Sequence, residues 1–162
     1  MPATNFRIGQ STDIHRLVEG RPLILGACLI PFERGLLGHS DADALLHSII
    51  DAMLGALALG DIGQHFPDTD PKWKGISSSE MLKYAHNLVS QAGWSIANID
   101  ATVVLQAPKL RPHIDLIRQT IAGLLKLEQD QVSVKATTSE GLGFVGEGLA
   151  LQVYCCCLLC RS

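Results

Sequence analysis

The sequence predicts an α/β chain (α+β in the broader sense), a sandwich of helices packed on a β-sheet. Two observations carry this. Segments with the two-residue alternation of strands take turns along the chain with segments of helical period. The junctions between them carry Gly, Pro, Asp and Ser, the residues that end elements. A length of 162 residues suits one domain, spanning residues 1–162, with room for a real core.

The elements follow in order. Phe6 to His15 reads as a strand, and PLILG and CLIPF as a strand pair around Gly26. Ser40 with Asp43 three residues on has the pattern of a capping box. Leu45, Leu46, Ile49, Ile50, Met53, Leu54 and Leu57 then recur at helical spacing, and the helix is expected to end near Gly60. GDIGQHFPDTDPKWKG, with two Pro and three Gly, reads as a loop. A second helix starts at Ser77 to Glu80 and closes at Gly93. Ile99 to Leu105 is a strand, and Pro112 opens a third helix. QVSVKATT and LALQVYCCCLL complete the strands.

Composition removes several function classes. Apolar residues make up 47% and charged residues 18%, a globular balance. The formal charge is −3 with Lys and Arg scattered, which argues against a nucleic-acid partner. MPATNFRIG lacks a basic region followed by an apolar run, so no signal peptide is expected. The longest apolar run, LALQVYCCCLLC, is shorter than the roughly 20 residues of a membrane span. Four of the five cysteines crowd into residues 155 to 160. Neighbouring cysteines on a strand point to opposite faces, so the cluster reads as small apolar side chains in a reducing compartment. Cys157 and Cys160 form a single C-x-x-C, a weak zinc signal without a second pair.

Four stretches can carry chemistry. Asp13 and His15, two apart on a strand, share a face, with Ile14 expected on the core side. Asp43, His47 and Asp51 fall within an arc of about 80° on the first helix, at the border of its apolar face. The bland reading of each is a surface Asp–His pair. Together they offer two imidazoles and a carboxylate, three ligands with a fourth position open, as a catalytic zinc requires. Asp43 and His39 are alternatively placed at the helix start, where Ser40 and free N–H groups favour an anion. In KATTSEG, Thr137 and Thr138 can donate to phosphate oxygens and Glu140 can hold Mg²⁺. LQAPKLRPHI forms a Pro-bounded loop with Lys109, whose backbone can read a base edge, and Asp61 and Gly63 offer weak contacts to a diol. Cations beside phosphate donors suggest phosphoryl chemistry on a diphosphate.

These motifs resemble the 2-C-methyl-D-erythritol 2,4-cyclodiphosphate synthase family, the cyclases of non-mevalonate isoprenoid synthesis. The likeness runs from about Arg7 to about Leu159 and rests on DIH (13–15), GLLGHSDADALLH (35–47), ALGDIGQHFPDTDP (58–71), QAPKLRPHI (106–114) and VKATTSEGLGF (134–144). The resemblance implies a mixed β-sheet with helices on one face, and homotrimers assembled around the sheets with active sites between subunits. It implies zinc on Asp13, His15 and His47, with a substrate phosphate as the fourth ligand. It implies Mg²⁺ or Mn²⁺ on Glu140. His39 and Thr138 are similar to the residues that stabilise the transition state, with Ser40 beside them. Asp61, Ile62 and Gly63 resemble contacts to the sugar and methylerythritol. Phe66, Pro67, Asp68, Thr69 and Asp70 resemble a flexible substrate loop. Leu105, Ala107, Pro108, Lys109, Leu110 and Arg111, with Ala136, resemble the cytosine pocket. Thr137, Ser139 and Phe144 join the substrate contacts.

The implied reaction is intramolecular. The 2-phosphate of 4-diphosphocytidyl-2-C-methyl-D-erythritol 2-phosphate attacks the β-phosphorus, CMP leaves, and a cyclic diphosphate forms. The implied location is the bacterial cytoplasm, or a plastid after removal of a transit peptide. Two departures stand out. Gln10 occupies a position where many members carry His. GFVGEGLAL is two residues shorter than the common pattern and lacks its Arg, leaving Glu147, which bears on anion binding at the trimer axis. Two other readings use the same residues: a zinc hydrolase acting through metal-bound hydroxide, and a non-enzymatic trimeric module with a structural metal.

Overall fold

A computed structural model describes residues 4–67, 69–73 and 75–161. Five strands form one mixed sheet in the order β4-β1-β7-β5-β6. They are β1 (Phe6–Glu19), β4 (Arg34–Leu36), β5 (Trp94–Val104), β6 (Val132–Thr137) and β7 (Ala150–Arg161). β5 and β6 are parallel and the other pairs antiparallel. The helices are α1 (Ala44–Ala56), α2 (Ile62–His65), α3 (Ser78–Gln91), α4 (Ile114–Leu125) and α5 (Gly143–Gly146). A separate hairpin pairs β2 (Leu23–Leu25) with β3 (Cys28–Ile30). Among the described residues, no helix is long and apolar enough to cross a membrane.

The sheet's two faces differ. Along β1, Gly9, Ser11 and Leu17 are buried while Phe6, Ile8, Gln10, Thr12 and Ile14 are exposed. The covered face meets α1. Ser11 Oγ donates to the Ser48 carbonyl at 2.6 Å. A Cβ on Gly9 would lie 1.8 Å from the Ala52 carbonyl oxygen, so only glycine lets the helix rest directly on the strand. β7 alternates in step, with Leu151, Val153, Cys155, Cys157 and Leu159 buried.

Several expectations need correction. Ile14 is 48% exposed and does not join the core, because among the described residues no helix covers its face of the sheet. The first helix starts at Ala44, with Asp43 as its cap accepting from Leu46 N. Ala42 is left-handed, φ 58°, and this breaks the helix that Ser40 was expected to open; Ser40 Oγ accepts from Ala42 N instead. The helix ends at Ala56, short of Gly60. The 60–75 loop holds α2 and a 3-10 turn at Pro71–Trp73. β5 begins five residues before Ile99 and absorbs a bulge between Ile96 and Asn98. Pro112 lies in a 3-10 turn, Arg111–His113, that leads into α4.

Candidate metal and nucleotide cavities

Two cavities contain most of the expected site residues. The first, about 520 Å³, is lined by His15, His39, Ser40, His47, Ile62, Gly63, Phe66, Thr69 and Asp70 among others. At one end, β1 delivers Asp13 and His15 from its covered face, and α1 delivers His47 from its first turn. His15 Nε2 stands 3.1 Å, and His47 Nδ1 3.3 Å, from Asp13 Oδ2. These three residues form the one group of His, Cys, Asp or Glu, among the described residues, close enough to share a metal ion.

The donor chemistry fits such an ion. His15 Nδ1 lies 2.7 Å from the Leu37 carbonyl, which can only accept, so that nitrogen carries the hydrogen. A neutral His15 then turns a lone pair toward Asp13. His47 Nε2 lies 2.8 Å from Ser78 Oγ, leaving Nδ1 toward the same point. A carboxylate oxygen and two imidazole lone pairs converging on one spot repel each other unless a cation lies between them. Outer hydrogen bonds that fix each ring are the usual support of a metal ligand. Without a metal, protons fill that role. Burial pushes His15 down, but the Asp13 carboxylate outweighs it and raises its pKa above 6.5. Burial likewise opposes ionisation of Asp13, yet hydrogen bonds from His15 and His47 hold its pKa well below the carboxylate range.

The helical stripe divides into three jobs. Asp43 is fully buried and does not face an anion. Its carboxylate accepts from Gly26 N at 3.0 Å, Ala27 N at 2.6 Å and Leu46 N at 3.1 Å. Gly26 and Ala27 are both left-handed, as two-residue hairpin turns require, so Asp43 ties that turn to the helix start. Burial raises its pKa to about 6 against those three bonds. Asp51 accepts from Ile62 N at 2.6 Å and so fixes the start of α2. Only His47 enters the metal cluster.

Asp61 caps α2, its Oδ1 accepting from Gln64 N at 2.9 Å. Phe66 is an anchor as well as a lining residue. It is buried, edge-on to Trp73 at 4.9 Å and to Tyr84 at 5.2 Å. Asp68 falls outside the described residues. Pro67 does not line either cavity.

The second cavity, about 550 Å³, opens where β5 and β6 end. Leu105, Gln106, Pro108, Lys109, Leu110, Arg111, Ala136, Thr137, Thr138 and Glu140 line it. The parallel register continues past the strands, with Leu105 N donating to the Thr137 carbonyl at 2.9 Å. Glu140 is left-handed, φ 54°, and Thr138 Oγ1 donates to its carboxylate at 3.0 Å. A single exposed carboxylate beside phosphate donors suits Mg²⁺, which keeps most of its water. Ala107, Ser139 and Phe144 stand outside both cavities, and Phe144 is half exposed on α5.

The C-x-x-C pair does not form a site. Cys157 points into the core and Cys160 to the other face, because both belong to the unbroken strand β7. Burial pushes the Cys157 thiol up to about 12 and raises Cys155 further still. Gln10 lies exposed on the uncovered face, donating to the Ser11 carbonyl at 2.7 Å.

The sequence matches the YgbB family over residues 6–160. The chain belongs to that family. A relative from Clostridium perfringens, named 2-C-methyl-D-erythritol 2,4-cyclodiphosphate synthase, is 55% identical over 156 residues, which is 96% of this chain and 100% of the relative. The fold also matches the bifunctional IspDF from Campylobacter jejuni, with a TM-score of 0.95 and 41% identity over 99% of this chain and 44% of that longer one. A CDP-bound form of 2C-methyl-D-erythritol-2,4-cyclodiphosphate synthase gives a TM-score of 0.88 at 42% identity, covering 94% of this chain and 99% of the other.

Sequence reasoning missed three parts of this candidate site. Leu37 works through its backbone carbonyl, which leaves no residue-type signal. Asp41 and Ser78 read only as loop and helix start. The one available hint was that HSDAD holds more acids than a cap needs.

Proposed function

We propose that this chain converts 4-diphosphocytidyl-2-C-methyl-D-erythritol 2-phosphate to 2-C-methyl-D-erythritol 2,4-cyclodiphosphate and CMP. One observation carries the reading: Asp13, His15 and His47 converge in a chain that is 55% identical, over the whole of the relative's length, to a protein named for this activity. An oxygen of the 2-phosphate forms a bond to the β-phosphorus. The bond from that phosphorus to the oxygen shared with the α-phosphate breaks, and CMP departs with the electron pair. The nucleophile is already an anion, so no general base is needed.

The protein's task is to bring two repelling phosphates together and to pre-orient the ends of the ring. Asp13, His15 and His47 would hold zinc and Glu140 would hold Mg²⁺ or Mn²⁺, and the bound ions would supply the positive charge this requires. His39 and Ser40 are placed to bond phosphate oxygens from the metal cavity, and Thr138 does so from the other cavity. The Gly63 segment, held at Ile62 by Asp51, meets the methylerythritol part. The 105–111 segment with Ala136 takes cytosine, largely through backbone groups. A relative captured with CDP supports a cytidine diphosphate ligand.

The metal cavity and the base cavity share no lining residue within one chain. The sheet face bearing Phe6, Ile8, Ile14 and Tyr154 is uncovered. Both features favour a homotrimer in which one chain's base cavity completes its neighbour's metal cavity. The bacterial source of the Clostridium relative favours the cytoplasm.

A phosphorus NMR time course with substrate and Mg²⁺, with and without Zn²⁺, tests the reading. Cyclic diphosphate forming one-for-one with CMP is expected. CMP with a linear diphosphate would mean that water attacks, and would replace this reading with a hydrolase.

A further inference from the structure

We infer that Asp41 and Ser78 are positioning residues that set the imidazole of His47, through a carboxylate–hydroxyl–imidazole relay. The relay crosses between two helices. Ser78 is the first residue of α3 and is fully buried. Its Oγ donates to Asp41 Oδ1, and its backbone N–H donates to Asp41 Oδ2 at 3.1 Å. Asp43 N adds a longer bond to Asp41 Oδ1 at 3.4 Å. On its other side, Ser78 Oγ stands 2.8 Å from His47 Nε2.

Donor counting fixes the direction. A carboxylate only accepts, so the single hydroxyl hydrogen of Ser78 is committed to Asp41. Ser78 Oγ then has only lone pairs left for His47, so it favours a hydrogen on Nε2, in competition with a hydrogen on Nδ1 that bonds Asp13 Oδ2 at 3.3 Å. In the Nε2–H form Nδ1 keeps its lone pair, which is the form a metal takes. Ser40 Oγ, 3.3 Å from the same Nε2, adds a second contact on that side. Without Asp41 the Ser78 hydroxyl is free to rotate and donate to Nε2. That stabilises the Nδ1–H tautomer, which cannot bind a metal through Nδ1. An aspartate 37 residues from Ser78 in sequence thus selects the usable form of a ligand it does not touch.

Two measurements on the full chain test this. Long-range nitrogen–proton NMR of the metal-free protein, at a pH where the imidazoles are neutral, reports the His47 tautomer directly. Competition with a chromophoric chelator reports zinc affinity. Wild type should show a higher fraction of Nε2–H than either variant. Asp41→Asn and Ser78→Ala should each lose 10- to 100-fold in zinc affinity, the usual scale for an outer-shell partner. Asp41→Asn should also shift His47 toward Nδ1–H. The double variant should be no worse than the poorer single one, as expected for residues in one chain of bonds. An Nε2–H fraction no higher in wild type than in the variants overturns the relay, and so does zinc affinity within twofold of wild type in both variants. If Asp41→Asn fails to fold, the tautomer and the zinc affinity of Ser78→Ala against wild type still decide. Only the affinity arm rests on the zinc reading above. Wild type that takes up no zinc sinks that reading, while the tautomer still judges the relay.

Discussion

The two cavities are built by opposite means. The metal cavity is made of side chains from segments far apart in sequence: β1, the turn before α1, the first turn of α1, and the loop through α2. Each ligand is held by a bond to something distant, such as Leu37 for His15 and Ser78 for His47. The second cavity, proposed above for the base, is made from two neighbouring strand ends and the loops that leave them. Side-chain cavities of the first kind fail abruptly when one atom is lost. Cavities of the second kind fail by degrees, when their shape is filled.

Four experiments sharpen that contrast. The largest effect is expected from Asp13→Ala, which leaves two imidazoles facing no carboxylate. CMP release should fall to background and zinc per chain toward zero, while the circular dichroism spectrum persists. Normal turnover in this variant would remove the metal cavity from the reaction.

Next is Gly9→Ala. The new methyl would collide with the Ala52 carbonyl and push α1 off β1, separating His47 from Asp13. Overpacking of this kind costs about 1–3 kcal/mol. Urea unfolding should show the loss, and zinc affinity should drop with it. An unchanged midpoint would show that the helix can slide without cost.

In the base cavity, Ala136→Leu should raise KM about tenfold, roughly 1.4 kcal/mol, and leave kcat nearly unchanged. A bulky apolar side chain fills space used by ground state and transition state alike. A collapse of kcat instead would tie this cavity to the chemical step.

The smallest effect is with pH. His15 holds its proton above 6.5 in the metal-free chain, so proton and zinc compete for Nε2. Zinc affinity should weaken as pH falls through that raised pKa, by up to about tenfold per pH unit for each competing proton. The folding contribution has the opposite sense. The His15–Asp13 contact stabilises the metal-free fold fully below pH 6.5, and that stability is lost as pH rises through the folded value. Opposite slopes in chelator competition and in metal-free melting would establish both.

The parts of this site that were legible in the sequence lie within one element. Asp13 and His15 share a face because strands repeat every two residues, and His47 lies on the flank of its helix because helices repeat every 3.6. Those periods are local and survive any tertiary arrangement. The strand pattern of β7 likewise set its cysteines on alternate faces, with Cys155 and Cys157 buried as small apolar residues and Cys156 exposed. Resemblance to a known family then supplied roles that periodicity cannot.

The structure alone decided which partner each side chain meets. Asp43 shares the helical stripe with His47, yet it turns into the core, because two left-handed residues at 26 and 27 leave N–H groups that need an acceptor. Ile14 looked like core and is exposed, because alternation tells that a strand has two faces but not which one a helix will cover. Asp41 and Ser78 meet through the packing of α1 against α3, which no local pattern contains. Sequence fixes direction within an element, where the backbone's own geometry sets it. Burial and bonding between elements depend on long-range packing, and that is where the ligand set of this protein was completed.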